Sequence, residues 1–528
     1  MRRYLIFLPF ALIACQALTQ PLATPIGSLL VTQTASTPAG STPQVGVPSP
    51  TITPDPGSLP TPSPSPPAEE APGFTVLFHP DGGLYVGDQV SIEVITPQGV
   101  NLRENMVRVQ VGAQDLGTAD FKPYGLAGRS QATLMWVWDT RALEPGEYML
   151  TFSTTPAGFS WSQEVLLGAQ SQVPSPEPKA RWETVESECC LVHYITGTAA
   201  SRNLPALLDL EDEKSQQAAK SLGTVLNEPV PVTILPRVLG HGGFTGGEIY
   251  VSYLERNYAG SDFAQVLHHE IVHLLDSRLG GELRPSILVE GLAVYLAGGH
   301  FKPEPLLPRA ATLLDLGWYL PLAPLADDFY NSQHEIGYIQ AGALVRYLVD
   351  AYGWQAFDRF YRDIHPHPSD DQSQAIAVAL QDHFGLKFEQ LEDGFMAELR
   401  RQRINPDMYD DVRLTVAYYE AVRYYQQVLD PSAYFLTVWL PDGEQMRQRG
   451  IVADYLRHPS KPVNKYLESL LVQADKELRA GRYAEADDLI GMVNANLDAI
   501  EQSLPEPAGA PVPVPDAVPV DRRVAVER

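Results

Sequence analysis

His269-Glu270-Ile271-Val272-His273 lies in an apolar stretch with helical spacing, and Glu290 follows in a second apolar stretch. Residues four apart on a helix share one face, about 6 Å from each other, so both imidazoles can reach a single metal ion. Glu270 lies beside them, where a carboxylate can take a proton from a water molecule at the metal. The pattern therefore predicts a zinc site with His269, His273 and Glu290 as ligands and Glu270 as base.

The residues around this motif predict two helices. Ser261 or Asp262 is the candidate N-cap of the first helix, which we expect to end near residues 280–281. A second helix is predicted to begin around residues 285–286 and to carry Glu290 as its lone charge. A buried carboxylate requires a partner, and a bound metal ion would be one.

In an alternative interpretation, the histidine motif binds no metal. The histidines would then be ordinary helix residues, and Glu290 would cap a helix or pair with Arg278 or Arg284. His268 has a different position, because neighbouring residues on a helix point about 100° apart. We expect His268 to have a polar or supporting role rather than to bind the metal.

At these residues the chain resembles the gluzincin zinc metallopeptidases, most closely the peptidase MA-like families. Their histidine motif is followed by Glu-Gly-x-Ala-x-Tyr, which here begins at Glu290. The likeness extends from about residue 181 to about residue 403 and is strongest over residues 262–354. It implies an α+β zincin domain of thermolysin-like type that binds Zn²⁺ and hydrolyses peptide bonds.

Tyr338 begins a segment that looks like the family's helix after the metal site. By that resemblance Tyr338 donates a hydrogen bond to the oxyanion, since amide hydrolysis places negative charge on the carbonyl oxygen. A core tyrosine at the start of an amphipathic helix is the alternative. His334 is a weaker candidate for the same donor.

Two departures from the family pattern affect the expected chemistry. The Gly-x-Met-Glu-Asn element with which aminopeptidases of this clan hold a free amino terminus is missing, and Glu248 lies too near the motif to replace it. An endopeptidase or a very selective peptidase is therefore favoured. No aspartate follows Glu290 at the usual distance, so Asp276 is only a candidate for orienting the histidines.

Residues 246–251 are predicted to form an edge strand. An extended peptide can add to such an edge through main-chain hydrogen bonds, although a plain edge strand is the alternative. We also expect a strand at 191–195, a long helix at 204–226 and strands at 230–235 and 248–252. This order agrees with the N-terminal half of a zincin domain.

The N-terminus predicts export. A basic start is followed by an apolar segment that is too short to span a membrane as a mature helix, and it ends in Leu12-Ile13-Ala14-Cys15. These four residues resemble a bacterial lipobox, which implies a signal peptide over 1–14 and acyl chains on Cys15 that anchor the protein outside the cytoplasm. A simple secretory signal with an incidental cysteine is the alternative.

The remaining segments predict a multidomain chain. Residues 15–73 are rich in Pro, Thr and Ser and predict a disordered tether. Residues 74–170 alternate like short strands and favour an immunoglobulin-like β-sandwich with Trp136 and Trp138 in its core, most simply a spacer. Residues 404–504 predict a small helical domain that is partly TPR-like, and residues 505–528 a disordered tail.

The amino-acid composition limits the kinds of partner that we expect. The chain has 528 residues, a net charge of −26 and 44% hydrophobic residues. The acidity argues against anionic polymers, so we expect no nucleic-acid partner. Cys189 and Cys190 are adjacent, and a disulfide between neighbours is strained. Free thiols, a vicinal redox pair or two small buried residues on a strand remain open.

Together these observations predict a lipid-anchored, extracytoplasmic zinc metallopeptidase that acts on peptides or proteins. One rival keeps the zincin fold as a surface binding or assembly module with an idle metal site. An intact Glu270 argues against that rival, because a structural site needs no base. A second rival is a zinc amidohydrolase that acts on a cell-wall cross-link.

Overall fold

The computed structural model describes residues 73–503 except 98–99, 101, 124–129, 261, 431–432 and 434–442. The predicted signal peptide, the lipidation candidate Cys15, nearly all of the predicted tether and the predicted tail lie outside the described residues. Within the described part of the chain, no helix has both the length and the apolar character needed to cross a membrane. The described chain is a multidomain α+β protein.

Two sheets in the N-terminal part share one core. Their orders are β1-β3-β7-β6 and β2-β9-β8-β4-β5. Alternate residues of the strands point into the space between them, where Trp138, Phe152 and Trp161 are buried. The immunoglobulin-like type of this region stays a prediction. The strands are β1 (Thr75–His79), β2 (Leu84–Tyr85), β3 (Gln89–Ile95), β4 (Met106–Val111), β5 (Gln114–Asp120), β6 (Lys122–Pro123), β7 (Ser130–Asp139), β8 (Gly146–Thr155) and β9 (Ser160–Gly168).

The prediction that Trp136 lies in the sandwich core with Trp138 is wrong. Trp138 is fully buried between the sheets, whereas Trp136 packs in a separate cluster with residues such as Tyr250 and Tyr455. The cause is local, because the pairing of β3 with β7 shifts register beside Trp136 and the residue has a φ of 48°. This irregularity turns the indole toward the next domain.

An α+β unit follows the sandwich. Its sheet has the order β10-β11-β12-β14-β13, and its core contains apolar residues of the sheet and of the helices that cover it. Its elements are β10 (Trp182–Glu186), β11 (Cys190–Ile195), α1 (Ala199–Leu222), β12 (Val230–Leu235), β13 (Gly243–Thr245), β14 (Ile249–Ser252), α2 (Phe263–Leu279), α3 (Ser286–Ala297), α4 (Leu306–Asp315), α5 (Leu322–Asp327), α6 (His334–Tyr352), α7 (Trp354–Arg362), α8 (Gln372–Phe384) and α9 (Phe388–Leu399).

Two element predictions in this unit need correction. The edge strand is β13, and the predicted edge segment at 246–251 contributes to β14, which lies between β12 and β13. The long helix starts at Ala199, five residues before the predicted start, since Thr198 caps it and Pro205 is accommodated inside it. It ends earlier as well, because Gly223 adopts the left-handed conformation with a φ of 69°.

The C-terminal part is helical. Its helices are α10 (Asp407–Leu429), α11 (Gly443–Arg449), α12 (Ala453–Leu456), α13 (Pro462–Arg479) and α14 (Tyr483–Ser503). Helices α10, α13 and α14 enclose a core that includes Tyr418, Leu471 and Val493. Helix α10 also contributes Val412 and Val416 to the core of the α+β unit. The C-terminal helices and the α+β unit therefore pack directly against each other.

Arg457 joins the C-terminal part to the sandwich. Its guanidinium donates to both carboxylate oxygens of Asp88 at 2.6 and 2.8 Å and to Glu177 at 2.7 Å. All three side chains are at most 9% exposed. Buried charges of this kind are tolerated only when paired, so Arg457 fixes how the sandwich packs on the rest of the chain.

We expect Arg457→Met to lower the free energy of unfolding by about 3 kcal/mol, because it leaves two buried carboxylates without a cation. Chemical denaturation followed by tryptophan fluorescence measures this. Arg449→Met is the matched control, since exposed Arg449 only covers the Trp136 ring, and it should cost less than about 1 kcal/mol. Equal effects of the two variants would contradict the proposed role.

Candidate metal centre

Helices α2 and α3 carry the centre. Asp262 caps α2 through hydrogen bonds from the main-chain nitrogens of Ala264 and Gln265, so Asp262 is the N-cap of the two candidates. Helix α3 approaches α6 closely at Gly291, where a Cβ atom would lie 2.5 Å from the carbonyl oxygen of Ala341. Only glycine allows this contact, and it places the preceding residue, Glu290, in the interior beside α2.

Three ligand atoms meet between these helices. The Nε2 atoms of His269 and His273 lie 2.9 Å apart, and they are 3.2 and 3.0 Å from Oε2 of Glu290. Two imidazole nitrogens at this distance can share at most one proton, whereas one cation can bind both. Two histidines and a glutamate are one of the ligand sets of catalytic zinc sites. The arrangement therefore fits the metal that the sequence predicts.

Glu290 is held by a second contact. The Tyr330 hydroxyl donates to Oε1 of Glu290 at 2.8 Å and leaves Oε2 directed at the histidines. The alternative pairing of Glu290 with Arg278 or Arg284 is wrong. Arg284 binds Asp276, and Arg278 donates to main-chain carbonyl oxygens.

Glu270 is positioned by the edge strand. The Thr245 hydroxyl lies 2.8 Å from Oε2 of Glu270 and 3.0 Å from its carbonyl oxygen. Gly243 on the same strand lies so close that a Cβ atom would be 3.3 Å from Cγ of Glu270. Strand β13 therefore holds the carboxylate of Glu270 on the side of α2 that faces the edge of the sheet.

The pKa values of the two carboxyl groups at the centre, Glu270 and Glu290, are shifted in opposite directions. Burial raises the pKa of the Glu270 carboxyl to about 7, although His273 and the Thr245 hydrogen bond lower it. Burial also acts to raise the pKa of Glu290, but the neighbouring His273 and His269 hold it well below its usual value. Glu290 is thus the permanently negative member, and Glu270 is the carboxylate that can accept and release a proton near neutral pH.

Asp276 and His268 both lie outside the group of candidate ligands, as predicted for His268. The candidate Asp276 is bound by Arg284, Arg362 and Tyr361, in a buried ionic cluster. His268 points toward α1, where burial lowers its pKa to about 4. It is not part of the group formed by His269, His273 and Glu290.

Tyr338 lies beside the ligands, one turn into α6 rather than at the start of that helix. Its ring centroid is 6.1 Å from that of His269 and 4.5 Å from that of His300, on which it stacks. His334, the weaker candidate, opens the helix, and its ring contacts those of His241 and His300 at 3.9 and 4.8 Å. The structure thus brings Tyr338 next to His269, a candidate metal ligand.

Sequence reasoning missed several residues around the centre. His300 donates through Nδ1 to Glu335 at 2.6 Å, and Glu335 is also bound by buried Arg309. Arg309 in turn pairs with Asp411 of α10. No local spacing links these positions, although the buried charges of α4 and α6 were a signal that partners exist.

We expect Tyr330→Phe to weaken zinc binding by about tenfold to a hundredfold, because loss of a partner that orients a ligand has effects of that size. Competition with a chromogenic chelator measures the affinity. Tyr319→Phe is the matched control, as Tyr319 donates to Glu392 away from the ligands, and its zinc affinity should equal that of the parent. Unchanged affinity in Tyr330→Phe would show that Glu290 needs no such support.

Comparisons with solved structures find M1 zinc metallopeptidases and an aminopeptidase N family protein. An M1 zinc metallopeptidase from Deinococcus radiodurans is 12% identical, with a TM-score of 0.26, over 64% of this chain and 95% of the other. An aminopeptidase N family protein from Idiomarina loihiensis is 8% identical, with a TM-score of 0.26, over 64% of this chain and 78% of the other. TM-scores this low do not by themselves establish a shared fold.

Sequence comparisons add no relative. No family model matches the chain, and no curated protein matches it significantly. The functional assignment therefore depends on the geometry of the centre.

Proposed function

We propose that this chain is a zinc-dependent peptidase. One observation carries the proposal: two histidine nitrogens and a glutamate oxygen converge within 3.2 Å, beside a buried carboxylate that is not one of the three. A purely structural metal site needs no such carboxylate, whereas hydrolysis requires a base. The candidate base is Glu270.

His269, His273 and Glu290 would hold the metal. A bound Zn²⁺ would supply Lewis acidity, which makes a water molecule a better nucleophile and polarises the carbonyl of the peptide bond. The two helices and the Tyr330 hydroxyl hold the three side chains in one arrangement, as a preorganised metal site requires.

Glu270 carries the proton in the proposed reaction. Its carboxylate accepts a proton from the attacking water and then delivers it to the leaving amine, which closes the proton balance. Thr245 supports this step because its hydroxyl holds one oxygen of the Glu270 carboxylate and so restricts the orientation of that group.

Tyr338 is the proposed oxyanion donor. Its ring lies beside His269, so its hydroxyl can approach a carbonyl oxygen bound near the ligands. A phenol in this position stabilises the negative charge that develops in the tetrahedral state.

The proposed cleavage is within a peptide rather than at its amino terminus. An aminopeptidase needs a carboxylate for the substrate's ammonium group, and Glu248 is the acidic residue nearest the edge strand in sequence. Its carboxylate is bound by Arg447 at 2.6 and 3.1 Å and accepts from the Thr233 hydroxyl. Glu248 is therefore committed elsewhere, and an extended peptide beside β13 is the favoured binding mode.

Zinc analysis of the full chain and hydrolysis of quenched peptide libraries test the proposal. One library has acetylated amino termini and the other has free ones. We expect zinc-dependent cleavage of both libraries at similar rates. Cleavage of only the library with free amino termini would overturn the endopeptidase assignment. Zinc binding without cleavage of peptides or of cell-wall cross-links would favour the binding module.

We expect Tyr338→Phe to lower kcat about a hundredfold with little change in KM, because one oxyanion donor has an effect of that order. Steady-state kinetics on a cleaved library peptide measures both constants. His334→Gln serves as the comparison, since His334 starts the same helix, and it should retain most of the activity. A larger loss in His334→Gln than in Tyr338→Phe would assign the donor to His334.

We also propose an extracytoplasmic, lipid-anchored location. Its support is the sequence up to Cys15, which lies outside the described residues. Metabolic labelling with a fatty acid tests it, and labelling should disappear in Cys15→Ser.

A further inference from the structure

A second group of metal-binding side chains lies where β11 begins. The sulfur atoms of Cys189 and Cys190 are 2.9 Å apart, and Sγ of Cys189 is 3.0 Å from Oδ1 of Asp212 on α1. All three ligand atoms lie within 4.8 Å of one another. Cys189 is half-buried and Cys190 is buried. None of these residues belongs to the centre between α2 and α3.

Glu211 gives an independent sign that a cation is expected here. Its side chain is fully buried, and neither carboxylate oxygen has a hydrogen-bond partner. The groups that act on it electrostatically are Cys190 and Asp212. A buried carboxylate without a donor or a positive charge is costly, and a cation bound at the thiols would compensate it.

The loop before β11 is already shaped around Asp212. Its carboxylate accepts hydrogen bonds from the Ser187 hydroxyl at 2.7 Å and from the main-chain nitrogens of Glu188 and Cys189 at 3.2 and 3.0 Å. These contacts hold both thiols against α1 on the same side. Adjacent residues of a regular strand would point to opposite faces, so the irregular loop is what brings the two sulfur atoms together.

We propose that Cys189, Cys190 and Asp212 bind a second divalent cation of the zinc class, with Glu211 as the outer carboxylate. Two thiolates and a carboxylate suit a borderline-soft ion such as Zn²⁺. Binding replaces the two S–H protons, which pass to solvent, and no electron is transferred. The contact of Cys189 with Asp212 is then a shared cation instead of a hydrogen bond.

The expected role of this ion is structural. It would tie the loop at 187–190 to α1, and α1 packs against α2, which carries His269 and His273. The second site would therefore support the helix of the first site without taking part in its chemistry. It does not depend on the proposed peptidase activity.

Cobalt binding to the full chain tests the proposal directly. In Cys15→Ser the only remaining thiols are Cys189 and Cys190, since the chain has three cysteines. We expect Co²⁺ to produce a thiolate-to-cobalt charge-transfer band in this protein. The same protein should bind two equivalents of Zn²⁺, and Asp212→Asn should lower the affinity of one of them.

Variants separate the two sites. With Cys15→Ser as parent, Cys189→Ser/Cys190→Ser should bind one equivalent of zinc and lose the charge-transfer band, whereas His273→Ala should keep the band. If buried Cys190→Ser prevents folding, Cys189→Ser alone is informative, because it removes one ligand at a half-buried position. A parent protein that shows the band but binds no zinc at His269, His273 and Glu290 would count against the proposed peptidase only.

Two results would overturn the second site. One is a folded, reduced parent that binds a single zinc equivalent and gives no charge-transfer band. The other is a pair of cysteines that mass spectrometry finds joined in a vicinal disulfide, two hydrogens lighter, after purification without reductant and with no zinc uptake after reduction.

Discussion

Glu270→Gln is expected to abolish peptide hydrolysis while zinc binding is retained. Glutamine has nearly the same shape and can accept from the Thr245 hydroxyl as the carboxylate does, but it cannot take a proton from water. General-base catalysis contributes about a hundredfold to ten-thousandfold, so we expect kcat to fall at least about a thousandfold. Zinc content stays at the parent value, because Glu270 is not one of the converging ligands.

The matched control is Thr245→Val, which removes the hydroxyl that holds Glu270 and keeps the side-chain shape. It should reduce kcat by about tenfold, since the base is still present but is less well oriented. If Glu270→Gln and the parent cleave the same peptides at the same rate, Glu270 is not the base. If the parent is inactive too, the surface binding module becomes the better hypothesis.

The sequence was sufficient to predict which candidate ligand side chains come together. His269 and His273 are related by one helical turn, and Glu290 is a charge on an otherwise apolar helix, so both signals are local. The first helix begins and ends near its predicted bounds because Asp262 and Gly280 supply caps that can be recognised from residue type, and the second helix begins at Ser286 as predicted. Most of the candidate metal site can therefore be predicted from local sequence patterns.

The partners of these residues could not be predicted, since they depend on long-range packing. Thr245 reaches Glu270 from an edge strand that was predicted a few residues too late, and Tyr330 reaches Glu290 across 40 positions of the chain. The predicted alternation of the sandwich failed at Trp136, because one register shift reverses the direction of a side chain. Such contacts are fixed by the assembled fold and leave no periodic signal.

Packing of the C-terminal helices is a further long-range feature. Asp411 of α10 pairs with Arg309, which also contacts Glu335, the partner of His300. The C-terminal helices thus contribute Asp411 to the ionic network beside the candidate metal centre. The sequence predicts a separate domain here because helices α10, α13 and α14 have a self-contained apolar pattern.

Glu290→Gln is expected to remove zinc and activity together. Gln keeps the volume of a residue that is 2% exposed, so the helix pair can still form, but the amide supplies no negative charge between the two histidines. Zinc sites contribute roughly 10–16 kcal/mol through four ligands, so one ligand corresponds to about 3 kcal/mol. That is on the order of a hundredfold to a thousandfold in affinity.

Measured affinities should therefore form a series from the parent through Tyr330→Phe to Glu290→Gln. Activity in Glu290→Gln should return in part at high zinc concentration, because the two histidines remain within 2.9 Å of each other and Glu270 is unchanged. In Glu270→Gln added zinc should restore nothing. Full zinc affinity in Glu290→Gln would mean that Glu290 is not a ligand and that its contacts with the histidines are only an ion pair. The opposite responses of the two variants to zinc distinguish a lost ligand from a lost base.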